Sequence, residues 1–183
     1  KILGRPVVNE VADLPSGLDM AVLTIPRDPI LSTMRQLAEL GTKSVVIITA
    51  GFKETGREGF YLEQEIREVA VQNDIALLGP NCLGLINSGA KVNVTCASGA
   101  PLPGNVACLS QSGALCQAIL DWAVGENMGF SKFVSLGNKA VINEAHMLDY
   151  LGRDPDTNVV LGYIENVSQG SEFLNKARAM SRK

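Results

Sequence analysis

The run DMAVLTI, residues 19–25, is almost unbroken in its apolarity and is closed by Pro26. Similar runs recur as KSVVIIT (43–49), IALL (75–78), NVACL (105–109), KFVSL (132–136) and VVLGYI (159–164). A strand with one wet face alternates apolar and polar residues, whereas a short continuous apolar run is buried on both faces, as in parallel sheets. The stretches between the runs read as helices. DPILSTMRQLAELG offers Asp28 as N-cap, Pro29 as first helical residue and Gly41 as terminator, with Leu31, Met34 and Ala38 on one face. Residues 57–73 place Leu62, Ile66 and Val69 together. Leu115, Ala118, Ile119 and Trp122 mark another helix. Residues 143–152 turn Ala145, Leu148 and Leu151 inward, and residues 171–182 do the same with Phe173, Leu174 and Ala177. Repeated strand–helix units of this kind give an α/β protein of parallel sheets with helices on the faces.

The pattern breaks once. SGAKVNVTCASGAPLPG (88–104) alternates around Val92 and Val94 and then dissolves into Gly, Pro and Ser. It reads as an irregular hairpin and a linker, and so divides the chain into residues 1–100 and 104–183. The first region opens without the strand and glycine-rich turn that usually begin a nucleotide-binding α/β unit, and the second stops after three strand–helix units. The expectation is a piece of a longer protein.

Composition narrows the function classes. The 183 residues carry a net charge of −3 with no basic cluster, which argues against nucleic acid or an anionic membrane as partner. No apolar run approaches the ~20 residues of a membrane span. Cys82, Cys96, Cys108 and Cys116 show no close paired spacing, so neither a CxxC metal site nor a disulfide framework is expected, and reduced thiols in a cytoplasmic setting are. With His146 as the single histidine, a histidine-rich metal site is excluded within the chain.

Ligands of parallel sheets sit outside the carboxyl ends of the strands, so the strand-end turns matter most. LSQSGALCQ (109–117) admits three roles. A serine nucleophile fails: the elbow pattern G-x-S-x-G is absent around Ser112, and the only available base is His146. Phosphate binding at a helix N-terminus and ordinary N-capping by Ser110 or Ser112 remain open. GPNCLGLIN (79–87) reads as a binding loop or a rigid turn, and ITAGFKETG (48–56) as a glycine turn with Phe52 available to pack on a ring. His146 falls on a helix flank, partly exposed. Glu165, at the end of VVLGYIE, points to the ligand edge either as an orienting carboxylate or as a solvated strand end.

In this order, DMAVLTIP, VVIITAGFKETG, LLGPNCLGLIN, GNVACLSQSGALCQAILDWA, FSKFVSLGNKA and YLGRDPDT resemble the nucleoside-diphosphate-forming acyl-CoA synthetases, relatives of the succinyl-CoA synthetase alpha subunit. The resemblance covers essentially the whole chain. It implies a partial Rossmann-like CoA-binding domain (1–100) followed by the first part of a flavodoxin-like ligase domain (104–183). It implies an acid–thiol ligase that works through an acyl phosphate and a phosphohistidine, with coenzyme A, ADP/ATP or GDP/GTP, Mg²⁺, an ATP-grasp partner and an oligomeric state in the parent enzyme. By position, Ile25, Pro26, Thr49, Ala50, Gly51, Phe52, Asn81 and Cys82 would line the CoA site. Ser110, Gln111, Ser112 and Gly113 would hold phosphate, with Ser110 and Ser112 serving catalysis, and Glu165 would fix the histidine ring. His146 does not occupy the place of the family's phosphorylated histidine, so the segment alone is expected to be inactive. The same two domains also imply an alternative, a CoA- or nucleotide-sensing module of a protein lysine acetyltransferase. A plain nucleotide-binding oxidoreductase would need a G-x-G-x-x-G turn that the sequence lacks.

Overall fold

The structure, a computed structural model, describes residues 1–99 and 101–181. The expected domain limits at residues 100 and 183, and the expected helix end at residue 182, lie outside the described residues. The first sheet is parallel in the order β1 (Ala21–Leu23), β2 (Ser44–Ile47), β3 (Ala76–Leu78), with Ala21 opposite Val45 and Val45 opposite Leu77. Helices α1 (Ile30–Glu39) and α2 (Arg57–Gln72) connect these strands and lie on one face, where Ile30, Met34, Leu37, Ile66 and Ala70 pack on Val45, Ile47 and Leu77. The intervening residues Val46 and Leu78 face the other way into a second cluster, as the period of two along a strand requires. Pro29, not Asp28, is the N-cap of α1, and it makes no side-chain cap bond. Asp28 is turned instead to the Arg27 guanidinium at 3.0 Å.

The second sheet is mixed, in the order β5-β4-β7-β6-β8. Its strands are β4 (Gly84–Asn87), β5 (Val92–Thr95), β6 (Leu102–Ser110), β7 (Gly129–Ser135) and β8 (Val159–Tyr163). β6 runs parallel to β7 and β8, whereas β4 is antiparallel to both β5 and β7. The hairpin expected at the edge of the first domain is therefore hydrogen-bonded into the second sheet, and the chain passes from one sheet to the other between Leu78 and Gly84. The sequence around residues 88–104 loses its periodicity because β4 and β5 form a short hairpin at the sheet's margin, where one side is half exposed.

Helix α3 (Gly113–Gly125) covers one face of this sheet through Cys116, Leu120 and Ala123, which meet Cys108, Phe130 and Phe133. The sequence pattern points instead to Leu115, Ala118, Ile119 and Trp122, yet Trp122 is 56% exposed. Nearly every residue of α3 is apolar, so spacing alone does not select its buried face. Helix α4 (Glu144–Arg153) lies on the opposite face with Ala145, Leu148 and Leu151 buried as expected. Helix α5 (Gly170–Met180) packs on α4 with Phe173 and Ala177 half-buried and Leu174 exposed.

The two sheets meet in a shared cluster of Val46, Leu78, Cys82, Leu109, Val134 and Leu136. Beside it the turn after β7 docks on the turn after β3: Asn138 N–H donates to Pro80 O at 2.8 Å, Ala140 to Gly79 O at 3.0 Å and Ile142 to Leu77 O at 3.0 Å. Gly137 has a φ of 57°, and a Cβ there would stand 2.3 Å from Pro80 O and 2.5 Å from Asn81 O. Backbone cannot yield as a side chain can. Gly137→Ala is therefore expected to cost about 2–4 kcal/mol, from left-handed strain plus overpacking. Urea denaturation of the variant beside the parent chain measures it.

Candidate functional site

The end of β6 turns into α3 at Ser110–Ser112. Ser110 is fully buried, and its hydroxyl serves the turn itself, accepting from Ser112 N–H at 3.1 Å and donating to Ser112 O at 3.0 Å. Ser112 is the N-cap of α3, accepting from Leu115 N–H at 3.2 Å. The Gln111 side chain reaches across to the end of β8, where its Oε1 accepts from Glu165 N–H at 2.6 Å and Asn166 N–H at 3.1 Å. Glu165 is thereby seated beside the start of α3, with its side chain exposed.

A cleft of about 500 Å³ brings these residues together with the first domain. Gln111, Ser112, Gly113 and Glu165 line one side, and Asn81 and Cys82 the other. Two regions 30 residues apart in sequence thus share one site. Asn81 adopts a φ of 57° at the turn after β3, and its amide donates to Asn138 Oδ1 at 3.2 Å. Burial pushes the Cys82 thiol up to about 12, so it is a neutral group and no nucleophile at physiological pH.

Ile25, Pro26, Thr49, Ala50, Gly51 and Phe52 are not among the residues lining this cleft. They sit at the carboxyl ends of β1 and β2, tied together by Thr49 Oγ1, which donates to Ile25 O at 2.6 Å. Thr49 O also accepts from Asn81 N–H at 2.9 Å, so the three strand ends form one rim. Pro26 and Ala50 are exposed on it. Phe52 corrects the expectation from sequence: its ring is fully buried in the first core and has no face to offer a ligand. An apolar residue after a glycine turn reads equally well as an anchor, and here it is one. His146 is exposed, as expected, but also closes a capping box, its Nδ1 accepting from Asn143 N–H at 3.3 Å. It borders a separate apolar cleft of about 390 Å³ between β2–β3 and β4, β7 and α4, which holds none of the residues assigned to CoA or phosphate.

Sequence reasoning missed the polar cluster beneath the main cleft. The Asn138 amide donates to Glu54 Oε2 at 2.6 Å and Glu63 Oε2 at 2.7 Å. Lys53 Nζ donates to Asn138 O and pairs with Glu63 Oε1 at 3.2 Å. Glu54 Oε1 accepts from the N–H groups of Gly51 at 2.6 Å and Phe52 at 3.1 Å. Partial burial pushes the Glu54 carboxyl up, but these donors outweigh it and hold the group below the ordinary carboxylate range. The only sequence signal was Glu63 itself, a charge on the inward stripe of α2.

Comparison with known proteins matches each half of the chain to a domain family. Residues 1–88 match the family described as CoA binding domain, and residues 103–183 the family described as succinyl-CoA ligase like flavodoxin domain. A CoA-binding domain followed by a ligase-type flavodoxin domain is the class. The ADP-forming acetate–CoA ligase I of Archaeoglobus fulgidus is 41% identical over all of this chain, which spans 27% of it. The alpha subunit of the ADP-forming acetate–CoA ligase II of Pyrococcus furiosus is 37% identical, and the chain spans 40% of it. The dinucleotide forming acetyl-coenzyme A synthetase 1 of Candidatus Korarchaeum cryptofilum has been solved in apo form and in complex with phosphate and ADP. It superposes with a TM-score of 0.94 at 37% identity over 99% of this chain and about two fifths of that one. The chain is thus similar to nucleoside-diphosphate-forming acyl-CoA synthetases along its whole length and spans about a quarter to two fifths of these relatives. The acetyltransferase-linked sensor finds no support among them.

Two measurements follow from the site's geometry. Ser112→Ala removes the cap of α3 and is expected to cost about 1 kcal/mol, Ser112→Gly only a few tenths. Glu54, Glu144 and Asp154 all lie below their ordinary values of 4.5, 4.5 and 3.8. The unfolded chain therefore binds more protons as pH falls, and the stability these groups lend is complete above about pH 4.5 and lost as pH drops through the folded values. Denaturation midpoints taken from pH 7 to 3 should decline below that point, with a shallower decline in Glu54→Gln.

Proposed function

We propose that this chain forms the CoA-binding part and the phosphohistidine cradle of an ADP-forming acyl-CoA ligase. The observation that carries the reading is the single cleft joining Asn81 and Cys82 of the first domain to Gln111–Gly113 and Glu165 of the second. The thioester is placed at the rim of strand ends, with Ile25, Pro26, Thr49, Ala50 and Gly51 toward CoA and Phe52 contributing through the turn it anchors. A phosphate oxygen attacks the thioester carbonyl, and CoA leaves as a thiolate that takes up a proton. The resulting acyl phosphate gives its phosphoryl group to a histidine nitrogen, with the carboxylate leaving on the P–O electron pair. That group then passes to the terminal phosphate oxygen of ADP.

Within this scheme the start of α3 faces the phosphoryl group. The N–H groups at a helix N-terminus carry the positive end of the dipole and suit an anion. Ser112 adds a hydroxyl, while Ser110 holds the turn and Gln111 holds the loop of Glu165. The Glu165 carboxylate accepts the second ring N–H of the histidine and sets which nitrogen is phosphorylated. His146 lies at the other cleft, so the histidine comes from outside these 183 residues, as does the ATP-grasp unit that receives the group. Mg²⁺ belongs with the nucleotide there. Among the described residues no group of three or more His, Cys, Asp or Glu side chains is placed to hold a metal ion. No helix among them is long and apolar enough to cross a membrane, and the four cysteines are free. Free thiols accord with a reducing, cytoplasmic setting for the parent enzyme, and its oligomeric state is what the resemblance implies.

The test uses the full-length parent enzyme, following ATP formed from acyl-CoA, phosphate and ADP. Ser112→Asp keeps a helix cap but sets a carboxylate against the incoming phosphate. Turnover should fall at least about tenfold while the melting temperature stays within about 2 °C. Glu165→Gln should lower turnover by about 10²-fold. Unchanged turnover in both variants would refute the cradle.

A further inference from the structure

The loop carrying Glu165 is gripped from two sides by groups that the proposed chemistry does not use. On one side stands Gln111 Oε1, already described. On the other, Lys139 Nζ donates to Asn166 O at 2.8 Å and Asn166 Oδ1 at 2.9 Å, and pairs with Glu144 Oε2 at 2.8 Å. Glu144 Oε1 completes the grip by accepting from Ser168 N–H at 2.9 Å. The side chains of Lys139 and Glu144 are 3% and 1% exposed.

Such a pair is expensive to bury, and a hydrophobic pair of similar volume would often be as stable. What an apolar pair cannot do is hold Asn166 O and Ser168 N–H at fixed points. Each of the two charged groups spends its spare bonds on that loop. Glu144 is itself rigid, as the first residue of α4 beside the Asn143 cap. Lys139 follows Gly137 and Asn138, the turn wedged on Pro80 and Asn81. The grip on the loop is thus continuous with the junction between the two domains.

We infer that Lys139 and Glu144 are positioning residues that fix the Glu165 carboxylate over the start of α3, with Gln111 as the opposing clamp. The inference rests on the proposed role of Glu165. Loosening the clamp leaves the rim of strand ends untouched but lets the carboxylate wander, and misplacement of about 1 Å costs up to 10²-fold in rate. The signature is a loss in kcat without a change in KM for the acyl-CoA.

In the full-length parent enzyme, Lys139→Met is expected to lower kcat at least about tenfold with KM within about twofold. The same substitution made on Glu165→Gln should produce no further loss, because the group it positions is already gone. Gln111→Met removes the opposing acceptor without unpairing a buried charge. It is read in parallel for the same pattern and decides the matter if Lys139→Met does not fold. Losses that multiply with that of Glu165→Gln, a change confined to KM, or an unchanged kcat in Lys139→Met and Gln111→Met would each overturn the inference while leaving the Glu165 reading intact. Full turnover in Glu165→Gln would overturn that reading and the inference with it.

Discussion

The close backbone contact between Gly137–Asn138 and Gly79–Asn81 is the constraint on which the molecule depends. Two sheets with separate helices would otherwise be two small domains on a tether. Here the turn after β7 donates three backbone N–H groups to the end of β3, and the absence of a Cβ at Gly137 lets the chains touch. The shared cluster around Leu78, Leu109 and Leu136 then closes between the sheets. Because both turns lie at strand ends, the contact also aligns the ligand edges of the two sheets, and the cleft is the result.

Buried charge follows the same geography. Lys53 with Glu63, Lys132 with Asp154, and Lys139 with Glu144 each bury or half-bury an ion pair. None of these is a source of large net stability, since the desolvation of both ions offsets their attraction. What they supply is position. The Glu63 cluster holds Asn138 in the junction, and Lys139 holds the Glu165 loop. The Asp154 pair differs in being remote from the cleft. With Thr157 and Ser131 it fastens the turn DPDT to the middle of β7. A turn that leads into an edge strand is thus anchored to the sheet's interior.

Strand and helix placement was legible because it depends on local pattern. KSVVIIT and KFVSL are buried on both faces, and no solvated strand would carry them, whereas DMAVLTI and VVLGYI form edge strands with Met20, Val22, Val159 and Leu161 exposed. Where pattern is degenerate the reading failed. The helix from Gly113 is apolar except for Gln117 and Asp121, so its spacing is weak, and Trp122 was assigned inward and stands outward. The hairpin at 84–95 was legible from the alternation around Val92 and Val94, but not the sheet it joins, because its partner β7 lies some 45 residues away. Phe52 was legible as important but not as core. Gln111, given to phosphate through the resemblance, lines the cleft and uses its carbonyl oxygen to hold the Glu165 loop, a partnership no local pattern shows. Lys139, Glu144 and Asn138 gave no signal as a group, because their partnerships are long-range and a charged residue in a turn ordinarily reads as solvated. The convergence of Asn81 with Ser112 in one cleft was not read from the sequence, where the resemblance gave the first to CoA and the second to phosphate.

One property of the cleft bears on how it would handle a phosphoryl group. Among the described residues its lining holds Glu54 and Glu165 but neither lysine nor arginine, and the nearby Lys53 and Lys139 are committed to Glu63 and Glu144. An anion here is met by N–H groups and by about half a unit of positive charge at the start of α3, not by a clamp of full cations. A clamp would bind phosphate more tightly, yet tight binding of a group that must depart raises the barrier to its departure. A cation would also draw Glu165 into a fixed pair and withdraw it from an imidazole. The lysines are therefore turned to the loops, where they set geometry. Under the proposed function, the charge complementary to Glu165 would be that of the histidine ring carrying the phosphoryl group.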